Sequence, residues 1–165
     1  MSKPLQFGAP WSRQLKVLTT LFSLFLLGLP LILAERAPHN APALYQIAIW
    51  LPVAILILAA LFAIRGFVIE GEQLLVLRPL WKTRICLRDL QRAEADPDAM
   101  QGSVRTFGNG GLFGYIGLFR NDRLGRYRAF ATDEKNSVVL RFETHTLVIT
   151  PEQPQRVAAL LNRER

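Results

Sequence analysis

Residues 43–64 read ALYQIAIWLPVAILILAALFAI, and the run stops at Arg65-Gly66. No charged side chain interrupts it. About twenty residues at ~1.5 Å of rise each make a helix of ~30 Å, the thickness of a bilayer's hydrocarbon core. A buried helix of a globular core seldom runs this long without a polar face, so the segment reads as a membrane span over residues 43–65. Pro52, near its middle, removes an amide donor and leaves a carbonyl for a neighbour to satisfy. A partner helix is therefore expected.

The upstream chain supplies one. Val17 to Ala34 is a second apolar run, ~27 Å long as a helix. It follows a head, residues 1–16, in which Lys3, Arg13 and Lys16 meet no acid and Trp11 suits a membrane interface. A signal peptide is the competing reading of a basic start before an apolar stretch. The run is too long for one, Ile32-Leu33-Ala34 is a poor cleavage pattern, and another span follows closely, so an uncleaved hairpin over 17–34 and 43–65 is favoured. The loop at 35–42 holds two prolines, sets Glu35 against Arg36, and carries His39, which reads as solvated. Basic residues gather in the head and at Arg65, which predicts both termini in the cytoplasm, the loop outside, and a multi-pass protein of the inner membrane.

Half of the 165 residues are apolar although 20 are basic and the net charge is +7, so the apolar residues must be segregated, and they are concentrated before position 65. Residues 66–165 hold 15 basic and 12 acidic side chains, too mild an excess to suggest nucleic acid. Cys86, the single cysteine, excludes an internal disulfide framework and gives no metal-ligand spacing; it reads as a small strand residue. No cofactor is expected.

From Gly66 the hydrophobic period becomes two. Phe67 to Glu70, Leu74 to Leu77, and Ile85, Leu87 and Leu90 among Arg84, Arg88 and Asp89 read as short strands, with Gly71 and Pro79 at the turns. An irregular region follows, broken at Ala95-Asp96-Pro97-Asp98 and dense in glycine from Phe107 to Gly117. Gly117 to Arg120, Tyr127 to Thr132, Val138 to Phe142 and Thr146 to Ile149 then read as further strands. The chain closes on a helix, with Thr150 as expected N-cap, Pro151 at the first position and Gln153 completing a capping box. Val157, Leu160 and Leu161 form its apolar stripe, with Arg156, Asn162 and Arg163 on the other side.

A nearly closed antiparallel barrel or sandwich of about seven strands capped by one C-terminal helix is the pleckstrin-homology (PH) plan. Residues 66–165 resemble the bacterial PH domains of small membrane proteins, and the whole chain resembles members with two N-terminal transmembrane helices. Phe67-Val68-Ile69-Glu70-Gly71, Ile85-Cys86-Leu87-Arg88-Asp89-Leu90, the run Phe107 to Gly117 and Val148-Ile149-Thr150-Pro151 carry the likeness. The glycine-rich run is fairly specific to the group; the strand patterns alone are weak. The resemblance implies a fold used for binding and brings no known ligand.

Three features bear on binding. Gly108, Gly110, Gly111 and Gly114 lack the flanking strand and helix of a dinucleotide site and any following Lys-Ser/Thr, so they read as a loop that needs positive φ and close backbone approach, packed by Phe107, Phe113 and Tyr115. Free amides there would make an anion nest. Arg78, Trp81, Lys82 and Arg84 lie on a turn expected back at the membrane surface, where they suit anionic lipid. Arg120, Arg123, Arg126 and Arg128 lie on a later hairpin and suit an acidic protein segment or a phosphate. His145, Ser103, Ser137 and Cys86 form no nucleophile or acid–base signature, and an enzyme is not expected. The expected function is a tethered module that binds a protein partner, a second copy of itself included, at the cytoplasmic face; direct anionic-lipid recognition is the alternative, and a membrane-bound enzyme a distant third.

Overall fold

The structure, a computed structural model, describes residues 4–163; Lys3 of the basic head lies outside them. Two helices come early, α1 (Arg13–Glu35) and α2 (Ala43–Leu61), both long and apolar enough to cross a membrane. They lie against one another, with Pro30, Ile49 and Pro52 buried, and the Tyr45 hydroxyl donates to the Leu33 carbonyl at 2.7 Å. α1 begins four residues before the apolar run because Ser12 caps it, its Oγ accepting from the Leu15 amide at 3.1 Å.

Ten strands surround the rest of the core. β1 (Leu5–Gly8), β2 (Gly66–Glu70), β3 (Gln73–Leu77) and β4 (Lys82–Cys86) form an antiparallel sheet in that order. β5 (Leu90–Ala95), β6 (Val104–Gly110), β7 (Tyr115–Asn121), β8 (Gly125–Ala131), β9 (Val138–Phe142) and β10 (Thr146–Ile149) form a second, ordered β5-β9-β10-β8-β7-β6. With α3 (Pro154–Arg163) they make the expected PH-like sandwich. Nine strands follow the helices where about seven were expected. Leu87 to Asp89 is a turn that splits one expected strand into β4 and β5, and the glycine-rich run is itself the end of one paired strand and the start of the next. The sheets are not wholly antiparallel: β10 runs parallel to β8, because a single 3-10 turn at Glu134–Asn136 carries the chain over to β9 before it returns.

The second sheet is buried on both faces at its centre, which explains its unbroken apolar runs. Val138, Leu140, Leu147 and Ile149 meet Phe67, Ile69, Leu74 and Val76 of the first sheet and Val157 and Leu161 of α3. Val139, Val148, Tyr127 and Ala129 meet a second core that contains Ala99, Met100 and Leu15 of α1. Leu15 is wholly buried, so the first turns of α1 belong to the domain. β1 does too. Leu5 pairs with Ile69 and Phe7 with Phe67, and the chain is pinned again where the Thr132 hydroxyl donates to Pro10 O at 2.8 Å and the Ser12 amide to Thr132 O at 3.0 Å. The beginning of α1 and the end of α2 are thus held at one side of the domain.

The C-terminal helix starts later than its capping pattern predicts. Thr150 is buried and its Oγ1 accepts from the Thr132 amide at 2.7 Å, so it is not free to cap; Gln153 takes φ 61°, and Pro154 opens the helix. Asn162, expected on the solvent side, holds the edge of β5: its Oδ1 accepts from Ala93 N at 3.0 Å and its Nδ2 donates to Ala93 O at 2.8 Å.

Candidate functional site

A groove of about 710 Å³ lies where the second helix meets the second sheet. Ile55, Leu58, Ala59 and Phe62, at the C-terminal end of α2 and the residue after it, form one wall. The other follows from strand alternation. Phe119, Tyr127, Ala129 and Ala131 turn toward α1, so Ile116, Leu118, Arg128 and Phe130 face the opposite way. The first sheet covers Phe130, which is 1% exposed, but does not reach Leu118, and Phe107 on β6 is 74% exposed. Phe107 therefore does not pack the glycine loop as the sequence suggests; it borders the groove.

Three arginines line it. Arg78, expected on the membrane-facing surface, is buried instead: its Nη1 donates to the Phe62 carbonyl and its Nε to Thr83 Oγ1 at 3.0 Å. The carbonyls of a helix's last turn have no partner within the helix, and this guanidinium supplies one. Its carbon lies 5.4 Å from the Phe62 ring centroid and 5.5 Å from that of Phe130. Burial and then the nearby Arg128 charge lower the Arg78 pKa. Arg128 itself is exposed, 4.9 Å over the Phe130 ring, and exposed Arg105 runs along Gly110 at the loop. Among the described residues no carboxylate lies within 4.0 Å of Arg78, Arg105 or Arg128, whereas Arg88, Arg92 and Arg123 each have one.

The glycine-rich loop is built into the molecule. A Cβ on Gly108 or Gly117 would run into the opposite strand's backbone, at Ile116 O and Phe107 O, and both have positive φ. The loop amides are already used: Gly111 N donates to Gly114 O at 3.1 Å, Leu112 N to Asn109 Oδ1 at 3.1 Å, and Phe113 N to Thr19 Oγ1 at 3.1 Å. An anion nest is therefore not available there. Instead the loop docks on α1, with the Thr19 hydroxyl donating to Gly111 O at 3.3 Å and Phe113 set edge-on to Trp11.

The other expected residues divide. Trp81 meets Phe62 edge-to-face at 5.0 Å, so the turn at Arg78 to Trp81 does return to the end of α2. Lys82 and Arg84 are exposed on the first sheet, in a shallow depression shared with Glu70 and Glu72. Arg120 and Arg126 are cross-strand partners and exposed. Arg123 is drawn away from that cluster, binding Asp96 Oδ2 and Asp98 O, each at 2.9 Å. His145 stacks on Phe142 with its Nδ1 3.2 Å from Thr144 Oγ1, and the Ser137 hydroxyl donates to Glu134 O. Arg105 and the helix wall of the groove were not visible in the sequence, because they come together only across the bend between α2 and the sheet.

The model of a family described as "Bacterial PH domain" matches residues 65–165. No curated protein and no solved structure matches the chain.

Proposed function

The chain belongs to the bacterial PH domain family, and from that premise we propose that it is a membrane-tethered binding module, held at the cytoplasmic face by α1 and α2, that takes its ligand on the groove side of the second sheet. The family's fold is a general protein or lipid interaction module. The observation that carries the reading is the groove itself: an apolar trough continuous with the end of α2, with arginines that no carboxylate among the described residues neutralises. Tethering supports it energetically, since a domain fixed within a few nanometres of the bilayer meets a membrane-bound ligand at an effective concentration of order mM.

The test uses the full chain in its own membrane, with a photo-crosslinking amino acid at Phe107 or Leu118 and, as comparison, at Arg88 in the exposed turn between β4 and β5. Adducts at the first two positions and none at Arg88 are expected; the reverse pattern would remove the groove side as the binding surface. A protein partner or a second copy is the second reading, favoured by β6. That strand is a sheet edge without a second neighbour among the described residues, and it exposes Val104 and Phe107. An adduct at Val104 with twice the chain's mass would support self-association.

A further inference from the structure

The groove sets two conditions on its occupant. Along α2 the occupant must be apolar, because Ile55, Leu58 and Phe62 present some 10 Å of hydrocarbon wall within or just beyond a span that otherwise faces lipid. At the sheet it must be anionic, because Arg105 and Arg128 bring two exposed positive charges with no acid beside them among the described residues, over the buried charge of Arg78. An extended peptide fails the first condition, since its amides would stand unpaired at hydrocarbon depth. A soluble anion leaves the helix wall uncovered. A phospholipid carries both parts in the order in which the groove presents them.

We infer that the groove holds one anionic glycerophospholipid of the cytoplasmic leaflet, its phosphate between Arg105 and Arg128 and one acyl chain along Ile55, Leu58 and Phe62, with Phe107 and Leu118 closing the outer side. Arg78 is a positioning residue. It anchors the end of α2 beneath the phosphate and is not free to move to it. The inference rests on the proposed tethered module and names the ligand of that same groove. It also separates this site from the turn at Lys82 and Arg84, where Glu70 and Glu72 share the surface.

The decisive experiment is native mass spectrometry of the full chain in mild detergent, titrated with phosphatidylglycerol or with phosphatidylcholine of the same acyl chains. One phosphatidylglycerol should be retained in preference to phosphatidylcholine. Arg105→Gln with Arg128→Gln should weaken that retention about 10- to 30-fold, as loss of two near-surface cations predicts, and Lys82→Gln with Arg84→Gln should leave it unchanged. Leu118→Glu, which sets a carboxylate directly across from Arg128, should neutralise that charge and weaken retention as well. Equal retention of the two lipids, insensitivity to the Arg105 and Arg128 changes, or displacement by inorganic phosphate at equal concentration would each overturn the assignment. The side of the membrane from which Cys86 is labelled reads the underlying module separately. A cytoplasmic domain with no lipid preference removes this inference alone, and an outward-facing domain removes the reading beneath it.

Discussion

Arg78 illustrates how a residue's position in the fold redirects its chemistry. On the sequence it is the first cation of a basic turn; in the fold its guanidinium is the terminal partner of a helix and a flat lid on two aromatic rings. Arg78→Met keeps most of the packing and removes the hydrogen bonds, and should cost about 1–3 kcal/mol in detergent-solubilised protein, read from urea or thermal unfolding. Arg78→Lys should recover only part of that, because an ammonium cannot reach Phe62 and Thr83 with the planar fork. Glu134 makes a pH-dependent prediction. Burial, reinforced by Asp133, raises its carboxyl pKa above the ordinary range, so the folded state holds that proton more tightly than the unfolded chain. The penalty is absent in acid, where both states are protonated, and grows as pH rises through the raised folded value. Glu134→Gln should therefore raise Tm by about 1–2 °C near neutral pH, with the difference closing toward about pH 4.

At the scale of elements, β1 decides how the domain can be handled. It covers the edge of β2, and Phe7 fills the core between them. A fragment of residues 66–165 would expose that edge and empty the socket of Leu15, so it should aggregate or unfold where the full chain does not, as size-exclusion chromatography would show. Phe7→Ala in the full chain should cost about 2–4 kcal/mol. The helices and most strands were legible because their apolar periods run over enough residues to be distinctive. β1 was not, because Leu5-Gln6-Phe7 gives one alternation inside a stretch whose charges suggest an interfacial head. The late start of α3 was hidden for another reason: Thr150 satisfies every local rule for a cap, but the distant Thr132 and Asp133 amides claim its oxygen. The glycine run was rightly read as needing close backbone approach, but its use as a dock for Thr19 depends on a contact more than ninety residues away in sequence. Of the arginines legible on the later hairpin only Arg128 lines the groove, joined by Arg78 from the earlier basic turn. Arg105 and the helix wall were hidden, the wall in the apolar run that first suggested a membrane.

For the whole molecule, the pairing of β1 with β2 places the chain before α1 and the chain after α2 in one sheet. If the helices span the bilayer, both flanks lie on the same side; that this side is the cytoplasm is the expectation from the charge distribution. Cys86, exposed and the sole thiol, makes this measurable. A membrane-impermeant maleimide should leave Cys86 unlabelled in intact cells and label it in inverted vesicles. With Cys86→Ser and His39→Cys the pattern should reverse. Labelling of Cys86 from outside would overturn the orientation.

The same strand pair also constrains the order of synthesis. Leu5 leaves the ribosome some sixty residues before Ile69, its partner, and at roughly 5–20 residues per second it waits on the order of 3–13 s while the two apolar helices are made. During that interval β1 is an apolar strand with nothing to pair with. If the two helices span the bilayer, it gains its partner only after an even number of crossings returns the chain to the compartment where β1 was left. A hairpin inserted with one helix missing would then put β1 and β2 on opposite sides of the membrane, and the sheet would not close. Closure of the first sheet would in that case report that both helices had inserted, and chains that failed would present quality-control proteases with an unpaired strand edge.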